Sequence, residues 1–107
     1  MNRRLIELRA AAQDDLTNHY GWLANEGGEP LAESMLASAA AEFDKLAQTV
    51  GLGSPIQTSR SDLAGLRKWR IRHFPKLLIF YQATDERLFV IRVLHSAQDW
   101  LAALEGD

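Results

Sequence analysis

The 107-residue chain has no cysteine, only three prolines and no long hydrophobic run. The lack of cysteine excludes a disulfide scaffold, a thiolate zinc site and a cysteine nucleophile. The longest apolar runs, at residues 77–81 and 88–91, are far too short to cross a bilayer. The first residues contain no apolar signal segment, and the absence of cysteine fits a reducing compartment. We therefore expect a cytoplasmic protein without a membrane partner.

Local catalytic and cofactor motifs are also missing. The sequence has no phosphate-binding glycine loop, no His-x-x-x-His metal pair and no Gly-x-Ser-x-Gly nucleophile elbow. The three histidines, His19, His73 and His95, fall on different predicted elements. A metal site built from them would need a coincidence of geometry, so we expect no metal and no small-molecule cofactor.

The net charge of −2 conceals a strong asymmetry along the chain. Residues 1–58 carry a net charge of −4, residues 59–96 carry +5, and residues 97–107 carry −3. An uneven distribution of this kind says more about partners than the total does. The sequence therefore predicts a basic segment that binds phosphates or an acidic partner, within an otherwise acidic domain.

Hydrophobic periodicity predicts a single α+β domain over residues 1–107, beginning with a strand and a helical hairpin. Residues 4–8 are predicted as a strand, with Leu5 and then Ile6 as the candidates to face inward. A first helix begins at residues 10–12 and ends near residues 27–28, and a second begins at Pro30. Few residues join the two helices, so they must lie antiparallel. The expected apolar stripes are Ala12, Leu16, Tyr20 and Leu23 on the first helix, and Leu31, Met35, Ala39, Phe43, Leu46 and Val50 on the second.

The second half of the chain predicts a three-stranded antiparallel meander followed by a short C-terminal helix. Residues 51–63 are polar and without period, which indicates a loop. Strands are predicted at residues 66–73, 76–82 and 87–94, and the last two are apolar enough to be central and covered on both faces. The final helix begins near Ala97 and packs back on the sheet through Trp100, Leu101 and Leu104.

The first of these strands carries a row of cations. Lys68, Arg70 and Arg72 alternate along it and stand about 6.6 Å apart on one face, whereas Arg67 lies on the other. Such a row can bind phosphates or an acidic segment, or it can simply form a solvated face.

Other candidate residues have two interpretations each. Arg92 lies within a strand predicted to be buried, so it is either part of a structural ion pair or a site residue. His95 ends that strand, where it is either a general acid or base or a cap for the following helix. Tyr81 and Trp69 are predicted in the core. Trp22 and Trp100 are predicted as exposed partner contacts, and we group Arg67, Lys68, Arg70 and Arg72 with them.

Four segments occur in the order found in a known protein family. They are Gly65-Leu66-Arg67, Arg70-Ile71-Arg72-His73-Phe74, Leu78-Ile79-Phe80-Tyr81, and Arg92-Val93-Leu94-His95 followed by Gln98-Asp99. On these residues the chain resembles the RelE/ParE superfamily of bacterial type II toxins, and within it the ParE-like branch. The resemblance implies a helical hairpin packed on a curved antiparallel sheet. It also implies a cognate antitoxin whose flexible C-terminal segment wraps the toxin.

ParE-like members inhibit DNA gyrase by binding it and have no established catalytic residues, so the resemblance implies a gyrase-binding toxin rather than an enzyme. RelE-like members instead cut mRNA in the ribosomal A site. Their C-terminal tyrosine has no counterpart after Leu94, although some nucleases of the superfamily use a histidine at the position matching His95. The alternative is therefore a ribosome-dependent mRNA endonuclease in which His95 moves protons while Arg92, Arg70 and Lys76 stabilise the phosphorane charge.

A third hypothesis is an inactive homologue that only binds antitoxin. Its motivation is the acidic net charge, together with Gln82 and Gln98 at positions where many family members have arginine. For all three hypotheses we expect an antitoxin segment whose apolar side chains follow the groove between helices and sheet. Its acidic side chains are expected near Arg67, Arg70 and Arg72.

Overall fold

The computed structural model describes residues 3–106. The main elements, in chain order, are β1 (Leu5–Leu8), α1 (Ala10–Gly27), α2 (Glu29–Gln48), β2 (Ser54–Pro55), β3 (Arg67–Ile71), β4 (Phe74–Ala83), β5 (Arg87–His95) and α3 (Trp100–Glu105). The predicted α+β order is confirmed. The structure adds one short strand, β2, inside the segment predicted as a loop, and single 3-10 turns at Val50–Leu52 and Ser61–Leu63.

The helical hairpin forms because a sharp reversal separates two amphipathic helices. Gly28 has φ of 94°, a conformation that favours glycine, and Pro30 lies in the first turn of α2, where its missing N–H costs nothing. The expected inward position of Leu31 is wrong, since Leu31 is 38% exposed and its neighbour Ala32 is fully buried. The buried stripe runs through Ala32 and Met35, and Leu31 lies one position off it, over Gly27.

The end of α2 also differs from the prediction. The helix ends at Gln48, so Val50 lies in the following 3-10 turn and packs against the core from there.

The five strands form one sheet in the order β1-β5-β4-β3-β2, in which β1 is parallel to β5 and the other pairs are antiparallel. The prediction that the last two strands are central is confirmed. The expected inward position of Leu5 is wrong, because Leu5 is 63% exposed. Side chains alternate along a strand, and Ile6 and Leu8 are the residues of β1 that pack on the core.

Strand β4 divides the core into two layers. Leu77, Ile79 and Tyr81 face the helical hairpin, whereas Leu78 and Phe80 face the opposite side of the sheet. There α3 covers them with Leu104 and Trp100, and the rings of Phe80 and Trp100 lie 5.4 Å apart. Both faces of the central strands are therefore covered, as predicted. Leu101 does not take part, since it is exposed on the outer side of α3.

Tyr81 fixes the segment that follows α2 onto the sheet. Its side chain is fully buried, its hydroxyl donates a 2.6 Å hydrogen bond to the Val50 carbonyl, and it accepts one of 2.9 Å from the Gly53 N–H. Burial raises the pKa of this phenol. A side chain at Gly53 would collide with the Tyr81 hydroxyl and the Lys68 carbonyl, which explains the glycine. Within residues 3–106, no helix has the length and apolar composition required to cross a membrane.

Candidate functional site

The basic row of β3 is shorter than predicted. Lys68 and Arg70 share the face that points away from the helical hairpin, but the strand ends at Ile71 and its pairing with β4 shifts between Arg70 and Ile71. Arg72 therefore lies in the turn to β4, where its backbone N–H donates to Glu42. The next residue, His73, has φ of 72° and reverses the chain. Arg67 is on the opposite face, as predicted, and its guanidinium donates to the Gly53 carbonyl.

A groove of about 860 Å³ lies on the face that carries Lys68 and Arg70. We call it the basic groove; its lining residues are Ser54, Lys68, Trp69, Arg70, Pro75, Lys76, Leu78, Ser96 and Trp100. It contains three cations and no carboxylate. None of the three forms an ion pair with another residue in the part of the chain that the structure describes. The walls of the basic groove therefore carry positive charge that no carboxylate of the groove neutralises.

A second groove, of about 560 Å³, lies between α1 and the ends of β4 and β5. We call it the apolar groove; it is lined by Asn18, His19, Trp22, Leu23, Phe74, Pro75, Lys76, Leu77 and His95. Trp22 is 63% exposed, so its predicted exposure is confirmed. Pro75 and Lys76 line both grooves, and the two are therefore adjacent at the start of β4.

The other tryptophans are less exposed. Trp100 was expected at the surface, but it is half-buried because it packs on Phe80. The Lys68 ammonium lies 4.9 Å from the centre of the Trp100 ring, a cation–π contact that holds both residues in the wall of the basic groove. Trp69 packs on the core as predicted, and its indole N–H donates a 2.7 Å hydrogen bond to the buried Glu42.

Arg92 forms an ion pair with Asp15 of α1. Two hydrogen bonds of 2.7 and 2.8 Å join its Nε and Nη2 to the two carboxylate oxygens, and they raise the pKa of Arg92. The structure therefore favours the first interpretation of Arg92, that of a structural ion pair. Asp15 was not predicted from the sequence as the partner of Arg92. One signal was present, because Asp15 lies three residues after the buried Ala12 and next to Leu16, at the border of the apolar stripe.

Asp15 also completes the edge of the sheet. Strand β1 pairs with β5 only as far as Val90, so Val93 has no strand beside it on that edge. The Asp15 carboxylate accepts the Val93 N–H at 2.9 Å, and the His19 Nε2 lies 2.8 Å from the Val93 carbonyl, to which it must donate. Asp15 and His19, one turn apart on α1, thus make the two hydrogen bonds to Val93 that a neighbouring strand would otherwise make.

The contacts of His95 hold the turn that leads from β5 to α3; the helix itself is capped by Asp99, so the expectation that His95 caps it is wrong. Its Nδ1 accepts a 3.0 Å hydrogen bond from the Ala97 N–H, and its own backbone N–H donates to the Gln98 side chain. In a neutral imidazole with its Nδ1 lone pair engaged, Nε2 carries the hydrogen and is the hydrogen-bond donor of the ring.

The structure brings together only some of the nuclease candidates. Lys76 lies beside His95 in the apolar groove and beside Arg70 in the basic groove, whereas Arg92 lines neither. Residues 3–106 contain no cluster of histidine and carboxylate side chains that could hold a metal ion.

Comparison with known proteins decides the family. A sequence profile described as the ParE toxin of the type II toxin–antitoxin system parDE matches residues 6–100. The chain belongs to the ParE toxin family. The match covers every element from the second residue of β1 to the start of α3, and it confirms the resemblance drawn from the strand segments. A comparison with curated protein sequences gave no match.

Solved structures share the fold of this ParE-family chain. A chain of the chromosomal ParDE system from P. aeruginosa has a TM-score of 0.70 and 13% sequence identity, over 87% of this chain and 96% of that one. A chain of the RelBE2 toxin–antitoxin complex from Mycobacterium tuberculosis has a TM-score of 0.58 and 22% identity, over 88% and 99%. One from the E. coli DinJ–YafQ toxin–antitoxin complex has a TM-score of 0.56 and 21% identity, over 90% and 96%.

Proposed function

We propose that this ParE-family toxin inhibits DNA gyrase by binding it in the cytoplasm, and that a cognate antitoxin neutralises it. The match to the ParE family over residues 6–100 carries the proposal. The structures from P. aeruginosa, Mycobacterium tuberculosis and E. coli that share its fold come from toxin–antitoxin systems, which supports an antitoxin as partner.

The contacts of two nuclease candidates favour a binding toxin over an enzyme. The Arg92 guanidinium is held by Asp15 through two short hydrogen bonds and lines neither groove. The His95 ring uses its Nδ1 to accept a backbone N–H, so a role as general base would require this hydrogen bond to break. Neither side chain is arranged as a ready catalytic group.

One observation keeps an mRNA endonuclease as the second candidate function. Lys76 lines both grooves and so connects Arg70 with His95. In this alternative the 2′-oxygen attacks the phosphorus and the bond from phosphorus to the 5′-oxygen breaks. His95, released from the Ala97 N–H, takes the 2′-hydroxyl proton and returns a proton to the 5′-oxygen, while Arg70 and Lys76 stabilise the charge on the phosphorane. Arg92 then takes no part in the reaction, and its ion pair with Asp15 only fixes the position of β5.

Expression of the chain from an inducible promoter, without antitoxin, separates these functions. A gyrase-binding toxin should arrest growth and relax plasmid DNA, and primer extension should show intact mRNA. The His95→Ala variant should arrest growth as the parent does. Cleaved mRNA that becomes intact in His95→Ala, with the fold retained, would establish the nuclease instead. Undisturbed growth with soluble, folded protein would leave only the third hypothesis, an inactive homologue that binds antitoxin.

A further inference from the structure

The helical hairpin carries charge of one sign. Residues 10–44 contain seven aspartates and glutamates and no lysine or arginine. Two of the seven, Asp15 and Glu42, are buried and have partners there. The other five are exposed: Asp14, Glu26, Glu29, Glu33 and Asp44. Of these five, only Asp44 forms an ion pair, with Arg3, in the described part of the chain. A surface of this sign repels nucleic acid and attracts a basic protein.

Gly21 has no explanation within the chain itself. It lies in the middle of α1, where glycine lowers the stability of a helix relative to alanine. Its φ is not positive, and a Cβ added to it would meet no atom within 4 Å. No neighbour in the protein therefore requires the glycine. A missing side chain also allows the backbone of another molecule to come close, and this use of Gly21 agrees with its exposed position.

Small side chains continue this surface from α1 to α2. The Tyr20 hydroxyl donates a 2.7 Å hydrogen bond to Glu33, which places the middle of α1 beside the first two turns of α2. The outward side of α2 is smooth there, because Ser34, Ala37 and Ala41 are its exposed residues. We call this surface the acidic face; it is formed by Gly21, Glu29, Glu33, Ser34, Ala37 and Ala41. Another protein can pack closely on such a surface between the carboxylates.

We propose that the acidic face is the surface through which this toxin binds DNA gyrase, and that it docks on a basic surface of that enzyme. The inference rests on the proposed function, which names gyrase as the target. An enzyme that acts on DNA carries lysine and arginine side chains for the phosphates, so its charge is complementary to that of the acidic face. None of the residues of the acidic face lines the basic groove or the apolar groove, so the surface is separate from both.

The test measures binding of the fluorescein-labelled full chain to purified gyrase by anisotropy. One variant combines Glu29→Lys with Glu33→Lys, and it should bind at least about tenfold more weakly, because like charges then face each other. A second variant, Gly21→Leu, should also bind at least about tenfold more weakly, because its side chain occupies the space in which gyrase packs. Raising the salt concentration should weaken binding of the parent chain.

Matched controls carry the same changes elsewhere. Asp85→Lys combined with Glu86→Lys reverses two charges in the turn between β4 and β5. Residues 4 and 5 donate hydrogen bonds to the last turn of α2 and to this turn, which therefore lies about 30 Å, one length of α2, from Glu29. Ala102→Leu adds a leucine at an exposed position of α3, on the other side of the sheet. Both controls should bind gyrase as the parent does.

Urea unfolding separates lost binding from lost structure. Gly21→Leu should unfold at no lower urea concentration than the parent, because leucine is the better helix former and its Cβ meets open space. Parent-like binding by either variant of the acidic face would overturn the inference and leave gyrase as the target. A parent chain that does not bind gyrase at micromolar concentration would contradict the proposed function and this inference together.

Discussion

Replacing Asp15 by alanine should destabilise the protein far more than any other removal of a single carboxylate on α1. The substitution deletes three hydrogen bonds, two from Arg92 and one from the Val93 N–H. Breaking a buried ion pair from one side costs about 3–5 kcal/mol, and leaving a buried N–H unpaired costs about 1–3 kcal/mol. The Arg92 side chain is 26% exposed and can recover part of its hydration. We therefore expect a loss of about 3 kcal/mol in the free energy of unfolding.

Urea unfolding followed by circular dichroism measures this loss, and it should appear as a shift of the midpoint with little change of slope. The melting temperature should fall by about 12 °C. The matched control is Asp14→Ala, which removes the same charge from an exposed neighbouring position and should change stability by less than about 0.5 kcal/mol. Asp15→Asn keeps an acceptor for the Val93 N–H, so its free energy of unfolding should fall by less than that of Asp15→Ala.

A double-mutant cycle decides whether the ion pair itself is responsible. Combining Asp15→Ala with Arg92→Met should cost less than the sum of the two single changes by about 1 kcal/mol or more, because the second change removes the unpaired cation. The reasoning would be refuted by additive effects, or by an Asp15→Ala variant no less stable than Asp14→Ala.

Three further changes test other parts of the fold by urea unfolding. Gly21→Ala should raise the free energy of unfolding by about 1 kcal/mol, because a Cβ there meets open space on an exposed helix; a loss would contradict this. Tyr81→Phe should lower it by about 1–3 kcal/mol by leaving the Val50 carbonyl and the Gly53 N–H unpaired, and no change would contradict this. Hydrogen bonds from Ser59 and Thr58 lower the pKa of Glu105, so its contribution is present above the ordinary glutamate pKa and is lost as pH falls through the lowered value. The stability difference between parent and Glu105→Gln should therefore shrink on acidification, and a constant difference would contradict this.

Periodicity predicted the elements because their signals are local. The apolar stripe of α1 repeats at helical spacing, and the continuous apolar runs of β4 and β5 indicated strands covered on both faces. Three apolar residues expected to face the core are exposed instead, namely Leu5 of β1, Leu31 of α2 and Leu101 of α3, and these errors come from phase rather than from element type. Leu5 and Leu31 are both apolar, but each lies one position away from the residues that face the core.

The site was harder to predict because its contacts join distant parts of the chain. Asp15 and Arg92 are 77 positions apart in the sequence. No local sequence pattern indicates which carboxylate pairs with a partly buried guanidinium. The end of the basic row depended on a register shift after Arg70, which alternation along a strand does not reveal. The junction of the two grooves at Lys76 follows from how α1, β3 and α3 pack around the start of β4.

The supercoiling activity of purified DNA gyrase on relaxed plasmid tests the central claim most directly. The purified toxin, added at micromolar concentration, should inhibit supercoiling, and its His95→Ala variant should inhibit it equally, because the claim requires binding and no proton transfer. Mixing the toxin with its antitoxin first should restore supercoiling. Supercoiling that proceeds unchanged at micromolar folded toxin would contradict the account.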